Sequence, residues 1–139
     1  MRVEIKWNGN MQFETQTPSG HAFILDTGTD LGGQETGPRP TEVLLSAVGT
    51  CSGIDVVDIL KKMRYTIDRF SIEVVGERAE DHPKRFTQMQ LTYHLEGEIP
   101  VEKVRRAVQL SQEKYCSVAH SVNAEILATF ILNGETYQL

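Results

Sequence analysis

Cys51 and Cys116 are the residues best suited to act as nucleophiles in this chain. They lie too far apart for a CxxC motif, and two cysteines are too few for a disulfide scaffold. A thiol reacts as its thiolate, which a nearby cation or a helix N-terminus stabilises. Cys51 sits in the glycine-flanked run Val48-Gly-Thr-Cys-Ser-Gly-Ile54. A cysteine there also reads as a small buried hydrophobe. Because Cys51 falls about ten residues inside the helix expected around it, an activating charge has to come from elsewhere. Arg39, just ahead of that helix, is the candidate, and it equally reads as a solvated loop arginine. Glu42 in the first helical turn complements the helix dipole.

Cys116 follows Glu113-Lys114-Tyr115 and precedes Ser117 and His120. If a new helix starts here, its free N–H groups and Lys114 favour a thiolate. If the preceding helix runs on, Cys116 and His120 share a face at i, i+4, which with Cys51 raises zinc ligation as an option, though no local ligand pair supports it. His21, His82 and His94 fall on strands or turns without a visible partner and read as structural or exposed histidines. Asp55 and Asp58 form a polar stripe or pair with Lys61 and Lys62, more readily than they form an acid pair. There is no phosphate loop, nucleophile elbow or HExxH.

The elements that must hold these residues follow from periodicity. Val3–Trp7 and Met11–Thr15 alternate around Asn8-Gly9-Asn10, and His21–Leu25 is a third strand. A glycine-rich loop, Asp26 to Pro40, is long enough to be functional or packed over something. Pro40 then opens one helix of about twenty residues ending at Lys61-Lys62, apolar or small on every side in its first half, as in a helix buried in a core or interface. Gly49 and Gly53 inside it require a close approach, since each costs about 1 kcal/mol relative to Ala. Ile67–Arg78 and Arg85–Gly97 form a hairpin. Pro100 opens an amphipathic helix from Val101 to Lys114, with Val101, Val104, Val108, Leu110 and Ser111 inward. Ser117–Val122 continues it or forms a short helix of its own, and Ala124–Leu132 and Thr136–Leu139 close the chain as strands around Asn133-Gly134. The order β-β-β-α-β-β-α-β-β predicts a single α+β domain over 1–139, with mainly antiparallel sheet around a long buried helix.

Length and composition bound the function. The 139 residues suffice for one core without staples. Nineteen acidic against 14 basic side chains give a formal charge of −5 and no basic tract, which argues against nucleic acid or anionic lipid as partner. No signal-like h-region opens the sequence, and no run reaches the ~20 apolar residues of a bilayer span. A cytoplasmic location is therefore expected, without membrane association.

The segment Gly37-Pro-Arg-Pro-Thr-Glu-Val-Leu-Leu-Ser-Ala-Val-Gly-Thr-Cys51 resembles the OsmC/Ohr family, including the eleven-residue step from Pro40 to the first cysteine. Lys114-Tyr-Cys-Ser-Val118 is similar to the family's second cysteine motif. The likeness covers essentially the whole chain and is strong toward the short YhfA-like bacterial branch. The resemblance implies an intertwined homodimer, with the central helices packed at the interface near Gly49 and Gly53 and each active site using both subunits. It further implies a thiol peroxidase for organic hydroperoxides in which Cys51 is peroxidatic and Cys116 resolving, recycled by a dithiol or lipoyl reductant without metal or organic cofactor. The substrate channel would run near Val48, Ile54, Phe23 or Tyr115. Thr41 stands where the family carries its catalytic glutamate, with Glu42 next to it, and the family's arginine has no clear counterpart, Arg39 being the candidate substitute. The alternative is a non-catalytic redox or small hydrophobic-ligand protein on the same fold, which Thr41 favours.

Overall fold

The computed structural model describes all residues, 1–139, as two compact units, Met1–Leu44 and Leu45–Leu139. In the first, β1 (Glu4–Trp7), β2 (Phe13–Gln16) and β3 (Ala22–Leu25) form an antiparallel three-stranded sheet. Gly9 and Asn10 adopt positive φ in the first turn, as its Asn-Gly-Asn sequence anticipates. The sheet leaves Ile5, Trp7 and Phe23 exposed. The glycine-rich loop after β3 is organised by the buried Asp26. Its carboxylate accepts the Thr36 hydroxyl at 2.6 Å and the N–H groups of Thr27, Gln34 and Thr36. The Thr36 hydroxyl and the Thr27 N–H above all hold this carboxyl below the usual carboxylate range.

Helix α1 (Pro40–Lys62) starts with Arg39 ahead of Pro40. Proline suits this first position because its missing N–H would have no helical partner. Glu42 Oε1 accepts the Arg39 backbone N–H at 3.1 Å, the reciprocal half of a capping box.

The second unit holds a four-stranded sheet in the order β4 (Arg69–Arg78), β5 (Phe86–Glu96), β6 (Glu125–Leu132), β7 (Glu135–Gln138). β4 with β5 and β6 with β7 are antiparallel, but β5 and β6 run parallel. Parallel neighbours need a crossover, and helix α2 (Val101–Leu110) with the segment after it supplies one. The core follows the expected periods: Met89, Leu91, Tyr93 and Leu95 alternate inward on β5, and Val104, Ala107 and Val108 come from α2. From α1, Val48, Ser52, Val56 and Leu60 form a stripe at i, i+4.

Helix α1 is therefore buried along one face, the stripe together with Gly49 and Gly53, with Ile54 and Val57 on its open side. By length and composition alone it is apolar enough to cross a bilayer, which corrects the expectation that no segment reaches that mark. Gly49 and Gly53 are buried where α1 meets β4. A Cβ would stand 2.8 Å from Val74 Cγ2 at the first and 2.9 Å from Ile72 Cδ1 at the second. Close approach of helix to sheet within one unit already accounts for both glycines.

Candidate functional site

The two thiols meet in the second unit. Cys51 projects from α1, half-buried, and Cys116 lies fully buried just beyond α2. The expected helix from Val101 to Lys114 is α-helical only to Leu110. Ser111–Tyr115 widens into one π turn, with the Cys116 N–H donating to the Ser111 carbonyl at 2.9 Å. Cys116 itself is extended, and a short 3₁₀ turn, Ala119–Ser121, follows as a separate element. Of the two alternatives at Cys116, the break is the one observed. His120 directs Nδ1 to the Cys116 carbonyl at 2.8 Å, so that nitrogen is the protonated donor and faces the backbone.

The widened turn and the break aim donors at sulfur. The Ala119 N–H points at Cys116 Sγ (3.4 Å), and Ser117 Oγ stands 3.9 Å from Cys51 Sγ. Partial burial works against a thiolate at Cys51. Hydrogen bonds from the Val118 N–H, the Cys116 thiol and the Ser117 hydroxyl outweigh it, and the thiol ionises below its ordinary range even with the Asp55 carboxylate opposing. Burial pushes Cys116 the other way, to about 11. The Ala119 N–H opposes this, while Cys51 and Asp55 add to it. Both thiols are free. The pair is thus asymmetric, one sulfur poised to ionise and its neighbour held protonated as a donor.

Beneath the pair lies a buried polar cluster that periodicity did not single out. Ser52 Oγ is 2.6 Å from Tyr93 Oη and 2.7 Å from Ser111 Oγ. Ser111 donates to Asp55 Oδ2 at 2.9 Å, and Gln112 Nε2 donates to Tyr93 Oη at 2.5 Å. Ser52, Tyr93 and Ser111 are all inaccessible to solvent, and no buried side-chain polar atom lacks a partner. The available signal was Ser52 and Ser111 falling on inward positions of two helices. Asp58 pairs with Lys62 at 2.6 Å, one of the alternatives expected for it, whereas Asp55 turns to Ser111.

Arg39 and Glu42 belong to the first unit, where the Arg39 guanidinium lies 3.8 Å from Glu42 and 3.7 Å from Glu35. The groups acting on Cys51 within its own unit include no arginine. Val48 is wholly enclosed in the core and cannot line a channel, a correction to the expected lining. Ile54 and Tyr115 are open to solvent, and Phe23 is exposed in the first unit. His21 meets Ser19, and His94 lies on the exposed side of β5. A cavity of about 630 Å³ runs between α1 and β4, with Gly49, Gly53, Ile54, Val57, Phe70 and Ile72 among its walls.

Comparison with known proteins gives this arrangement its class. A family model described as OsmC-like protein matches residues 32–130, and the chain belongs to that family. Protein YhfA of Escherichia coli K12 is 38% identical over 120 residues, spanning 86% of this chain and 87% of that one. The crystal structure of a hypothetical protein from Aquifex aeolicus superposes with a TM-score of 0.78 at 32% identity, covering 95% and 96% of the two chains. An organic hydroperoxide resistance protein OsmC from Legionella pneumophila shares the fold at 14% identity, with a TM-score of 0.70 and coverage of 93% and 94%. The mixed α+β architecture is that of the OsmC-like structures.

Proposed function

We propose that this protein is a cytoplasmic thiol peroxidase that reduces organic hydroperoxides through Cys51 and Cys116. The observation that carries the reading is the asymmetry of the pair: Cys51 is driven toward thiolate by three donors, while Cys116 stays protonated beside it. In the first step the Cys51 thiolate attacks the peroxide. An S–O bond forms, the O–O bond breaks, and the alkoxide leaves as alcohol after taking a proton, so sulfur is oxidised to sulfenic acid. In the second, the Cys116 sulfur attacks Cys51. An S–S bond forms, the S–O bond breaks, and hydroxide leaves with the Cys116 proton as water. A dithiol, of the dihydrolipoyl class among others, then reduces the disulfide by exchange. Membership of a family that includes proteins named for organic hydroperoxide resistance supports the substrate class.

The reading includes a homodimer, supported by the apolar cavity along α1 and by Ile54 and Val57 left open beside it. Arg39 and Glu42 are proposed to contribute to activation of Cys51, and Arg39→Ala tests that role through the rate of peroxide consumption. A second reading, a redox or hydrophobic-ligand protein without turnover, is favoured by Thr41 and by the lack of an arginine among the groups acting on Cys51. Consumption of cumene hydroperoxide with dithiothreitol or dihydrolipoamide separates the two. The peroxidase turns over, and Cys51→Ser abolishes turnover. A rate no faster than that of the serine variant supports the second reading.

A further inference from the structure

The donors in the cluster beneath the thiols can be assigned from its ends. Gln112 Nε2 only donates, and the Asp55 carboxylate only accepts. Ser111 gives its single proton to Asp55, so Ser52 must donate to Ser111 and Tyr93 to Ser52. Gln112 caps the far end on Tyr93, with a longer contact of 3.3 Å to Ser52. The result is a one-way chain, Gln112 to Tyr93 to Ser52 to Ser111 to Asp55, in which each bond polarises the next.

Both thiols are attached to this chain through their neighbours. Cys51 adjoins Ser52, and Asp55 follows Cys51 by one helical turn on the same face of α1. Cys116 gives its backbone N–H to the carbonyl of Ser111. The hydroxyl of Ser111 therefore ties a carboxylate on the Cys51 helix to the segment that carries Cys116. We infer that Asp55 and Ser111 are positioning residues of the thiol pair: the chain fixes the spacing of the two sulfurs and holds a carboxylate one helical turn from Cys51.

Other titratable groups on the elements around the pair do not duplicate that anion. Tyr93 of β5, held up to about 12 by burial, stays neutral. His120 of the following turn gives its Nδ1–H to the Cys116 carbonyl, and Lys114 of the π turn lies over the Tyr115 ring, 5.2 Å from its centroid. This inference deepens the peroxidase reading, but its tests need no peroxidase activity, so each can fail without the other.

Asp55→Asn removes the charge while its side-chain oxygen still accepts from Ser111. Alkylation of Cys51 by iodoacetamide, resolved from Cys116 by peptide mass spectrometry, is expected to shift its pH profile downward and to run about two- to threefold faster at pH 6. Asp55→Glu is expected to restore the parent profile. Ser111→Ala is expected to slow diamide-driven formation of the Cys51–Cys116 disulfide about tenfold, with Ser111→Thr keeping the parent rate. An Asp55→Asn profile superimposable on that of the parent overturns the electrostatic role. A folded Ser111→Ala protein that closes the disulfide at the parent rate overturns the positioning role. Should Ser111→Ala fail to fold, Asp55→Ala, which removes the acceptor of the Ser111 hydroxyl, is read in the same diamide assay, and closure at the parent rate overturns the positioning role.

Discussion

With the Val118 N–H, the Cys116 thiol and the Ser117 hydroxyl directed at one sulfur, Cys51 carries a share of thiolate at pH values where Cys116, pushed to about 11, is still fully protonated. Thiolate, not thiol, is alkylated, so the order of reaction with pH follows directly. Raising the pH from 6 in the presence of iodoacetamide is expected to modify Cys51 first, with Cys116 unreactive until well above pH 9. Equal labelling of both residues at pH 8 contradicts the assignment. The sequence marked both cysteines as candidate nucleophiles but ranked them on cations and helix ends. The groups that distinguish them are main-chain N–H donors and two hydroxyl or thiol neighbours, brought together by a break in the helix whose position no periodicity records. Glu42 was legible as an N-terminal helix residue, and it does accept the Arg39 N–H there.

Helix α1, the π turn that follows α2, and strand β5 are joined under the site by Ser52, Ser111, Gln112 and Tyr93. Tyr93→Phe takes away the hydroxyl that donates to Ser52 and accepts from Gln112, leaving the buried Ser52 oxygen with only the longer contact from the half-buried Gln112. A loss of about 1–3 kcal/mol in urea unfolding is expected, larger than for a solvent-facing Tyr→Phe such as Tyr115→Phe. A cost indistinguishable from that of Tyr115→Phe would show that the chain does not bind these elements together. The elements themselves were readable: seven strands and two helices fall where alternation, Asn-Gly turns and prolines place them. The exception is the end of α2. Periodicity carried the helix to Lys114, but Ser111, held through its hydroxyl by Ser52 and Asp55, sits where the winding widens to π. That shift depends on partners distant in sequence, so no local pattern could reveal it.

The parallel β5–β6 pair and its crossover give the second unit a sheet closed on one side by helices, yet α1 leaves Ile54 and Val57 exposed beside an apolar cavity. In the first unit Ile5, Trp7 and Phe23 are likewise uncovered. Such surfaces mark sites of association. Sedimentation equilibrium is expected to give a dimer, and Ile54→Glu to give a folded species of half the mass. A parent protein that sediments as a monomer contradicts the dimer. The α+β class and the family were legible from strand order and the two cysteine motifs, because both are local patterns repeated at fixed spacing. The close approach at Gly49 and Gly53 was legible as well, but not what approaches them, since Val74 and Ile72 lie on a strand beyond the helix.

The most direct test of the central claim is a single-turnover oxidation: reduced protein is mixed with one equivalent of cumene hydroperoxide, quenched, and its peptides are weighed. A Cys51–Cys116 disulfide in the parent, a sulfenic acid trapped at Cys51 in Cys116→Ser, and no oxidation in Cys51→Ser are the predicted results. Oxidation that begins at Cys116, or a parent protein left fully reduced, would contradict the account.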